Sequence, residues 1–418
     1  MYSRRMIQSC LAVALASLGL GIQDPIQDRV ASLMHSMSVE ERISQLMSCH
    51  LHTKDVPDFF KTWKSGYGTV ALASNSALDH AQSANLLQKL SQNSTRLGIP
   101  VAVRAEMDHS AGYVGSTIYP MPILMGCSFN NSLVEAVGNF SASQARAVGV
   151  AQSYGPVVQV ATDPRFGRSE ENFGADPLLV TQMGRAHAIG LQGRDGAGGP
   201  SSYLGSPATK VVATAKHAFA YGAGGKDGIA ADMSERSLFD VYMRPWRALS
   251  SERSGVRVRG IMASHEAINW VPAHSNRRLM NDVFRGTFGF GDGIITSDNE
   301  NVRWLQDGFH TASSQPLAVA QAMWATVDID LSGASSNFYW QGMPEAIELG
   351  LVSDAALNAS VARVLMNKFA SGAFDSQRFC NASRATAAGD TPESRRLALD
   401  AAEQSAVLLL NRNSALPL

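Results

Sequence analysis

The feature that most constrains this chain is a regular alternation of short apolar runs with longer segments of helical periodicity. The runs are nearly continuous in valine, isoleucine and alanine, as expected for strands that are covered on both faces. Seven strands are predicted, at residues 68–74, 100–106, 157–161, 211–217, 260–266, 293–298 and 326–331. The helices between them include 131–149 and 234–252, and a capping box of Ser38 with Glu41 opens another over 38–47.

This alternation predicts a parallel α/β fold, because a helix after each strand returns the chain to the same edge of the sheet. A closed (β/α)8 barrel of the TIM type, with parallel strands inside and helices outside, is the simplest architecture at this strand count. The 418 residues and the hydrophobic content of 45% are sufficient for a core of that size. A doubly wound sheet is the alternative. The chain has no dinucleotide fingerprint after its first strand and no phosphate-binding lysine loop, which favours the barrel.

Polar and charged side chains follow the apolar runs where the predicted strands end. They are Glu106, Lys216, His217, Ser264, His265, Glu266 and Asp298, with Asp328 and Asp330 inside the last run. Each one alone has an explanation as a turn former or helix N-cap, and for Asp298 in isolation that is the simplest interpretation. In a barrel, however, the carboxyl ends of the strands meet at one rim, where catalytic groups lie. The pattern therefore predicts a shared site at that rim.

The N-terminus has the features of a secretory signal peptide. Arg4 and Arg5 precede an apolar run from about Cys10 to Leu20, and small residues follow. The run is too short for a comfortable membrane span, so residues 1–22 are predicted to be a cleaved leader, with an uncleaved anchor as the alternative. The mature protein is therefore expected to be secreted and free of the membrane.

Sequons, cysteines and charge narrow the class of protein further. Five Asn-X-Ser/Thr sequons agree with secretion, at Asn93, Asn130, Asn139, Asn358 and Asn381. With Cys10 in the leader, the three remaining cysteines allow at most one disulfide, and no Cys/His spacing suggests a zinc site. No metal or organic cofactor is predicted. The net charge of −1 gives no electrostatic reason to expect binding to nucleic acid or an anionic membrane.

One segment makes the chain resemble a known family. DPRFGRSEENFGADPLLV, residues 163–180, is similar to the signature of glycoside hydrolase family 3, in which an Arg-aromatic-Gly-Arg run is followed by Glu and then by Gly-Glu-Asp-Pro. Further stretches resemble other landmarks of that family in the same order. These are RLGIPVAVRAEMDHS (96–110), KHAFAYG (216–222), IMASHEAIN (261–269), RRLMNDVFRGTFGFGDGIITSDNENV (277–302) and ARVLMNKFASGAFD (362–375). The resemblance covers roughly residues 25–418.

The resemblance implies a retaining, exo-acting β-glycosidase that removes non-reducing terminal β-D-xylosyl or β-D-glucosyl residues from β-linked oligosaccharides or glycosides. Asp298 occupies the position of the family's nucleophile, which forms a covalent glycosyl-enzyme. The matching motifs imply sugar-binding roles for Glu106, Arg168, Lys216, His217, Met262, His265 and Asn299. Glu106 stands where many family glucosidases have aspartate. Its extra methylene would fill the space of a hexose hydroxymethyl group and so favours xylose.

Several positions depart from the family pattern. Ala175 replaces the glutamate of Gly-Glu-Asp-Pro, Asn299 replaces an aromatic residue after the nucleophile, and His265 and Glu266 replace a Tyr-Asn pair. Asn299 offers no apolar stacking face for a sugar. These changes support an alternative function, a catalytically impaired carbohydrate-binding or interaction protein on the same barrel. An unrelated barrel enzyme, such as an aldolase that forms a Schiff base on Lys216, is a further alternative.

The domain prediction follows from the same resemblance. Residues 23–375 are expected to form the barrel domain. AAEQSAVLLLNRNSALPL (401–418) resembles the first strand and turn of the family's second domain, so 376–418 are predicted to be a linker and the start of a truncated second α/β domain. Many family members carry the general acid/base on that domain, and some bacterial members carry it on a Pro-Gly-His-Gly loop. This chain has AFAYGAGGKDG at the loop, so its acid/base is expected to lie beyond residue 418.

Overall fold

The computed structural model describes residues 25–194, 209–225, 230–250, 255–375 and 379–417. The predicted leader at 1–22 lies outside these ranges, as do residues 226–229 of the loop that follows the Lys-His motif. Within the described ranges, no helix combines the length and apolar character needed to cross a membrane.

Eight parallel strands form the centre of the molecule. The described strands are β1 (Met47–His52), β2 (Thr69–Ala73), β3 (Ala102–Glu106), β4 (Gln152–Val157), β5 (Val212–Ala218), β6 (Ala230–Ala231), β7 (Gly260–Ala263), β8 (Ala267–Ile268), β9 (Val271–Pro272), β10 (Ile294–Thr296) and β11 (Asp330–Leu331). The large sheet has the order β10-β7-β5-β4-β3-β2-β1-β11, and β6, β8 and β9 form a small second sheet. Thr296 of β10 pairs with Ile329, directly before β11, so the large sheet closes on itself. This confirms the predicted barrel and excludes the doubly wound alternative.

Helices connect consecutive strands of the barrel. The α-helices in the described ranges are α1 (Pro25–Ser36), α2 (Val39–Gln45), α3 (Val56–Thr62), α4 (Ala77–Ser94), α5 (Pro122–Cys127), α6 (Asn131–Ala147), α7 (Pro177–Gln192), α8 (Glu235–Ser237), α9 (Arg244–Ser250), α10 (Asn301–Asp307), α11 (Gln315–Trp324), α12 (Phe338–Glu348), α13 (Asp354–Ala370), α14 (Ala385–Gly389) and α15 (Pro392–Gln404). Leu238–Tyr242 and Arg278–Thr287 are π-helical.

The interior of the barrel contains polar as well as apolar side chains. Arg104 of β3 is buried, its Nε donates to Ser48 Oγ over 2.9 Å, and its guanidinium lies 4.5 Å from the centre of the Tyr154 ring. Tyr154, Met262 and Leu331 form a separate buried apolar cluster. A layered interior of this kind leaves the ends of the strands, rather than a central pore, as the place for a ligand.

The seam between β10 and β11 is held by a buried carboxylate. Asp328 is fully buried, and its Oδ2 accepts hydrogen bonds from Arg285 Nη2 (2.7 Å) and the Ile295 amide (2.8 Å). Its Oδ1 accepts from Arg363 Nε over 2.9 Å. The prediction that Asp328 lies at the rim with the site residues is therefore wrong. Its bonds to two arginines and a strand amide make it a structural residue that fixes the last strands.

Some predicted elements were misplaced. The helix expected over 38–47 ends at Gln45, and its capping box is present. Met47–His52 is a strand that was not predicted from the sequence. His50 and His52 are the exposed positions of that strand, and because of them the segment does not show a continuous apolar run. The fourth barrel strand is Gln152–Val157 rather than 157–161. The polar Gln152 is used inside the sheet, where its Nε2 donates to Thr214 Oγ1.

Other helix predictions had mixed outcomes. The helix expected over 131–149 is confirmed as α6. The segment 234–252 is divided between α8, the π-helical turn and α9. Pro245 lies in the first turn of α9 and has no backbone N–H, so it cannot donate the hydrogen bond that would continue the helix towards the N-terminus.

The C-terminal segment packs against the barrel through a buried polar cluster. The Gly389 carbonyl at the end of α14 accepts from the Thr117 amide (2.8 Å) and from Gln144 Nε2 (2.9 Å). Ser394 Oγ lies 2.7 Å from Thr117 Oγ1. Beyond α15 the chain is exposed through Val407–Leu410. Cys49, Cys127 and Cys380, the cysteines in the described ranges, are free thiols.

Candidate functional site

Asp298 lies two residues after the end of β10 and is only 8% exposed. Its backbone amide donates to His274 Nε2 over 3.1 Å, and its Oδ1 accepts from the amide of Asn299 over 2.7 Å. The N-cap of α10 is Glu300, which has φ 60°, so Asp298 does not cap that helix. The interpretation of Asp298 as a helix cap therefore fails, whereas that of a turn former is met, because its backbone carbonyl accepts from the Asn301 amide over 3.2 Å.

The carboxylate of Asp298 is surrounded by imidazole nitrogens. Its Oδ2 lies 3.0 Å from His265 Nε2 and 3.9 Å from His217 Nε2. Burial alone would raise the pKa of Asp298, but the contact with His265 and the hydrogen bond from the Asn299 amide hold it well below its ordinary value. An ionised carboxylate at this position is the form that a nucleophile requires.

The tautomer of His217 follows from its partners. The Gln159 Oε1 accepts from the His217 backbone amide, so the same oxygen must also accept from His217 Nδ1, which lies 3.0 Å away. His217 Nε2 is then the unprotonated nitrogen and accepts from Arg168 Nη2 over 3.2 Å. Burial lowers the pKa of His217 well below its ordinary value, against the opposing effect of Asp298. His217 is therefore a neutral ring at the Asp298 carboxylate.

Lys216 is buried at the end of β5 and bridges two carboxylates. Its Nζ lies 2.6 Å from Glu106 Oε2 and 3.1 Å from Asp108 Oδ2. Burial would lower the pKa of Lys216, but the two carboxylates raise it above its ordinary value. Burial raises the pKa of Asp108 to about 6, and the lysine ammonium opposes that rise. Lys216 is thus a cation rather than a free amine, which argues against Schiff-base chemistry on it.

Glu106 and Arg168 are the more open members of the group. The Glu106 side chain is 52% exposed, although its Oε2 is held by Lys216. Arg168 binds Glu171 through two hydrogen bonds of 2.8 and 2.7 Å, and its guanidinium lies 5.5 Å from the centre of the Tyr221 ring. Lys216 and Arg168 are therefore each paired with an acidic side chain. The exposed edge of the site presents both charged groups and oxygens that can accept hydrogen bonds.

Aromatic rings border the histidines. The Tyr221 ring lies 5.4 Å from the His217 ring and 6.0 Å from the His265 ring, measured between centres. The Trp304 ring lies 5.5 Å from the His265 ring. Such rings provide apolar contact area next to the polar groups around Asp298.

The remaining predicted residues take different places. Met262 of β7 is 2% exposed and packs with Tyr154 and Leu331 inside the barrel. Asn299 is exposed, and its backbone rather than its side chain contacts Asp298. Ala175 is also exposed, one residue before the N-cap of α7.

The carboxylates of two further residues predicted at the rim accept hydrogen bonds from backbone amides. Glu266 Oε1 accepts from the amides of Phe219 (3.0 Å) and Ala220 (2.6 Å) and is fully buried. Asp330 Oδ2 accepts from the Phe338 amide over 2.8 Å at the start of α12. The prediction that these two carboxylates converge with Asp298 is therefore wrong, because their oxygens stabilise loop and helix ends.

Five residues of the site were not among the residues predicted to form it. Asp108, Gln159, Glu171, Tyr221 and His274 all contact predicted site residues, as described above. Asp108, Glu171 and Tyr221 stand within stretches that resemble the family, so the sequence carried a signal for them. Gln159 accepts two hydrogen bonds from His217, and His274 accepts one from the Asp298 amide, but no local pattern indicates these partners.

Comparison with known proteins agrees with the architecture. A sequence profile described as the glycosyl hydrolase family 3 N-terminal domain matches residues 38–366. A putative beta-xylosidase of Formosa agariphila is 31% identical over 408 residues, which are 94% of this chain and 52% of the relative. A periplasmic beta-glucosidase of Salmonella typhimurium is 31% identical over 399 residues, which are 93% of this chain and 48% of the relative.

Solved structures give the same result. A β-glucosidase from Erythrobacter marinus superimposes with a TM-score of 0.86 at 31% identity, covering 94% of this chain and 51% of the other. A beta-glucosidase from Listeria innocua in complex with glucose has a TM-score of 0.81 at 29% identity, covering 94% and 53%. The chain spans about half the length of these proteins. From the profile, the relatives and the closed barrel together, the chain belongs to glycosyl hydrolase family 3.

Proposed function

We propose that this chain is the barrel part of a retaining, exo-acting β-glycosidase in which Asp298 is the nucleophile. The observation that carries the proposal is the carboxylate of Asp298, kept ionised at a strand end by His265 and by the Asn299 amide. Relatives of the chain are named beta-xylosidases and beta-glucosidases. On the basis of these relatives, we propose that this chain hydrolyses terminal β-D-xylosyl or β-D-glucosyl residues.

The proposed reaction has two displacements. An oxygen of Asp298 attacks the anomeric carbon, the bond from that carbon to the leaving oxygen breaks, and a general acid gives the leaving oxygen a proton. Water then attacks the same carbon, gives a proton to the conjugate base and releases the sugar and Asp298. We assign the acid/base to a second domain, as the family resemblance implies. His217 is unsuited to that role because its proton is on Nδ1 and is donated to Gln159.

We propose that Lys216, Arg168, His217 and Glu106 bind hydroxyl groups of the terminal sugar. The partly exposed Glu106 carboxylate is the residue best placed to select the sugar. Its length favours a xylosyl residue over a glucosyl residue, which carries an additional hydroxymethyl group. Such a selection by one methylene is worth about 1–3 kcal/mol.

The domain and location assignments are proposals of the same kind. We propose that 23–375 are the barrel domain and that 376–418 lead into a second α/β domain, in agreement with the exposed apolar residues Val407–Leu410. We also propose secretion, from the leader-like sequence at 1–22. Asn93, Asn139 and Asn381 are exposed and are therefore accessible to glycosylation.

One observation favours the second candidate function, a sugar-binding protein without turnover. Asn299 presents an exposed amide where the family has an aromatic face, so a sugar beside Asp298 loses one stacking contact. Binding would then depend on the polar group alone. The two candidates differ in whether Asp298 forms a bond to the sugar.

Covalent trapping tests the proposal. The protein is incubated with 2-fluoro β-xylosyl and β-glucosyl donors that carry a good leaving group, because such donors depend little on the general acid. We expect a mass increase of one fluorosugar, located on the peptide that contains Asp298, and faster labelling by the xylosyl donor. Asp298→Asn should remain unlabelled, whereas Asp307→Asn, a matched change at an exposed position of α10, should label normally.

The same experiment distinguishes the alternatives. Faster labelling by the glucosyl donor would contradict the role given to Glu106 and leave the nucleophile intact. Sugar binding in calorimetry without any label would support the silent binding protein and overturn the hydrolase proposal.

A further inference from the structure

The hairpin of β8 and β9 places a tryptophan in a conformation that tryptophan rarely adopts. Ala267 pairs with Pro272 and Ile268 with Val271, so Asn269 and Trp270 form a two-residue turn. Their φ angles are 49° and 67°. A two-residue turn of this type requires positive φ at both positions, which asparagine tolerates and which is normally met by glycine at the second. Trp270 therefore carries backbone strain that glycine would remove.

Folding does not explain why an indole is present at this turn. The Trp270 side chain is 77% exposed, so it contributes little to the core. The turn is held by its other residue, since Asn269 Oδ1 accepts from the Met233 amide (2.8 Å) and Asn269 Nδ2 donates to the Met233 carbonyl (2.9 Å). Strain that is kept without a packing benefit is a feature of functional positions.

Trp270 forms one wall of a surface groove of about 390 Å³. Trp324, which is 45% exposed, also lines it, and its Nε1 donates to the Leu351 carbonyl over 2.9 Å, so the ring orientation is fixed. Gln321 Nε2 donates to the Thr311 carbonyl (2.8 Å), and Thr311 Oγ1 donates to Gln321 Oε1 (3.1 Å). The groove thus combines two indoles with a prearranged amide and hydroxyl.

We propose that this groove binds a β-linked oligosaccharide chain at a place separate from the Asp298 carboxylate. Flat C–H faces of β-linked pyranoses match exposed indoles, and their hydroxyls match neutral amide and hydroxyl groups. The lining contains one charged residue, Arg277, and no carboxylate. A single-stranded nucleic acid, which also stacks on aromatic rings, needs a row of cations along its backbone. A neutral polyhydroxylated chain is therefore the better match.

The groove adjoins a residue that contacts the proposed nucleophile. His274, which accepts from the Asp298 amide, stands between the groove residues Pro272 and Ser275. An oligosaccharide held in the groove would keep a polymer attached near the site while its terminal residue is removed. The groove proposal itself needs only sugar binding and does not depend on Asp298 as nucleophile.

Trp270→Gly tests the proposal without endangering the fold, because glycine relaxes the turn. The protein is run through native gels containing soluble β-1,4-xylan or hydroxyethyl cellulose, and binding of the corresponding hexasaccharides is measured by calorimetry. We expect the wild-type chain to be retarded by at least one polymer and Trp270→Gly to bind the matching hexasaccharide roughly tenfold more weakly. Phe129→Gly is the matched control, since Phe129 is 76% exposed with φ 50° and lies outside the groove.

Each outcome decides the question. Asp298→Asn should be retarded like the wild-type chain, so a failure of covalent labelling leaves the groove proposal standing. Equal retardation of the wild-type chain and Trp270→Gly would overturn it, as would absence of retardation and of hexasaccharide binding in the wild-type chain. Loss of self-association in Trp270→Gly, without any sugar effect, would instead make the groove a protein interface and also overturn the proposal.

Discussion

Two buried carboxylates at neighbouring strand ends have pKa values displaced in opposite directions. Asp298 has imidazoles at its Oδ2 and an amide at its Oδ1, and its pKa is lowered. For Glu266, burial raises the pKa to about 7, although the Ala220 and Phe219 amides favour the charged form. The difference lies in the groups that face each carboxylate, because the two backbone amides alone do not compensate for the desolvation of Glu266.

The raised pKa of Glu266 makes stability depend on pH. Its stabilising contribution is complete below its unfolded pKa of 4.5 and is lost as the pH rises through about 7. Glu266→Gln keeps an oxygen for the two amides and removes the charge. We expect the wild-type chain to lose up to about 3 kcal/mol of unfolding free energy between pH 4.5 and 7.5 relative to the Glu266→Gln variant. Urea unfolding across this range measures the difference.

Glu348→Gln, an exposed change on α12, is the control for this series and should follow the wild-type curve. A Glu266→Gln curve parallel to the wild-type curve would mean that Glu266 has the same pKa in the folded and unfolded states, which would contradict the raised pKa.

At the residue level, the sequence predicted which side chains stand at strand ends but not how each one is used. Asp298, Lys216 and His217 are polar groups after apolar runs, and so are Glu266 and Asp328. What separates the two sets is the partner: Phe219 and Ala220 amides for Glu266, and arginines distant in sequence for Asp328. Such long-range hydrogen bonds depend on the closed barrel and leave no local trace.

At the element level, the docking of α14 depends on one close approach. A Cβ added to Gly389 would lie 2.4 Å from the Gly115 carbonyl oxygen and 3.0 Å from Tyr113 Oη. Gly389→Ala should therefore destabilise the protein by about 1–3 kcal/mol and loosen the carbonyl's bonds to Thr117 and Gln144. Chemical unfolding gives the first quantity, and hydrogen exchange of α14 and α15 shows the second.

Gly286→Ala is the matched control, because its added Cβ would meet only the Asn281 carbonyl oxygen, at 3.6 Å. It should be neutral or slightly stabilising. Equal stability of both variants would show that the α14 contact adapts without strain.

Elements with a clear apolar pattern were predictable, and those with polar positions were not. β5, β7 and β10 are short, buried runs and were recognised within a few residues. β1 carries His50 and His52, and β4 begins with Gln152 and Ser153 directed into sheet contacts. Tertiary contacts stabilise these polar residues in strands, and a prediction from β-strand propensity alone does not take those contacts into account.

At the scale of the whole molecule, a run of exposed apolar residues follows α15 in the described part of the chain. Val407, Leu408, Leu409 and Leu410 are consecutive and 57–91% exposed. Contiguous exposed apolar residues promote association. We expect the 418-residue chain to associate with increasing concentration and Leu409→Lys to reduce that association while changing the unfolding free energy by less than about 0.5 kcal/mol.

Sedimentation velocity over a range of concentrations measures this effect. Leu399→Lys, at a single exposed leucine on α15, serves as the control and should associate like the wild-type chain. If both variants associate equally, the contacts lie elsewhere on the surface.

The strained turn at Trp270 also has a genetic consequence. A tryptophan codon becomes a glycine codon by one base change, so a mutation that relaxes this hairpin is always a single step away. Random drift should take that step wherever the indole serves no purpose. Close relatives with glycine at this place are therefore expected to have given up the polymer and kept only small glycosides as substrates.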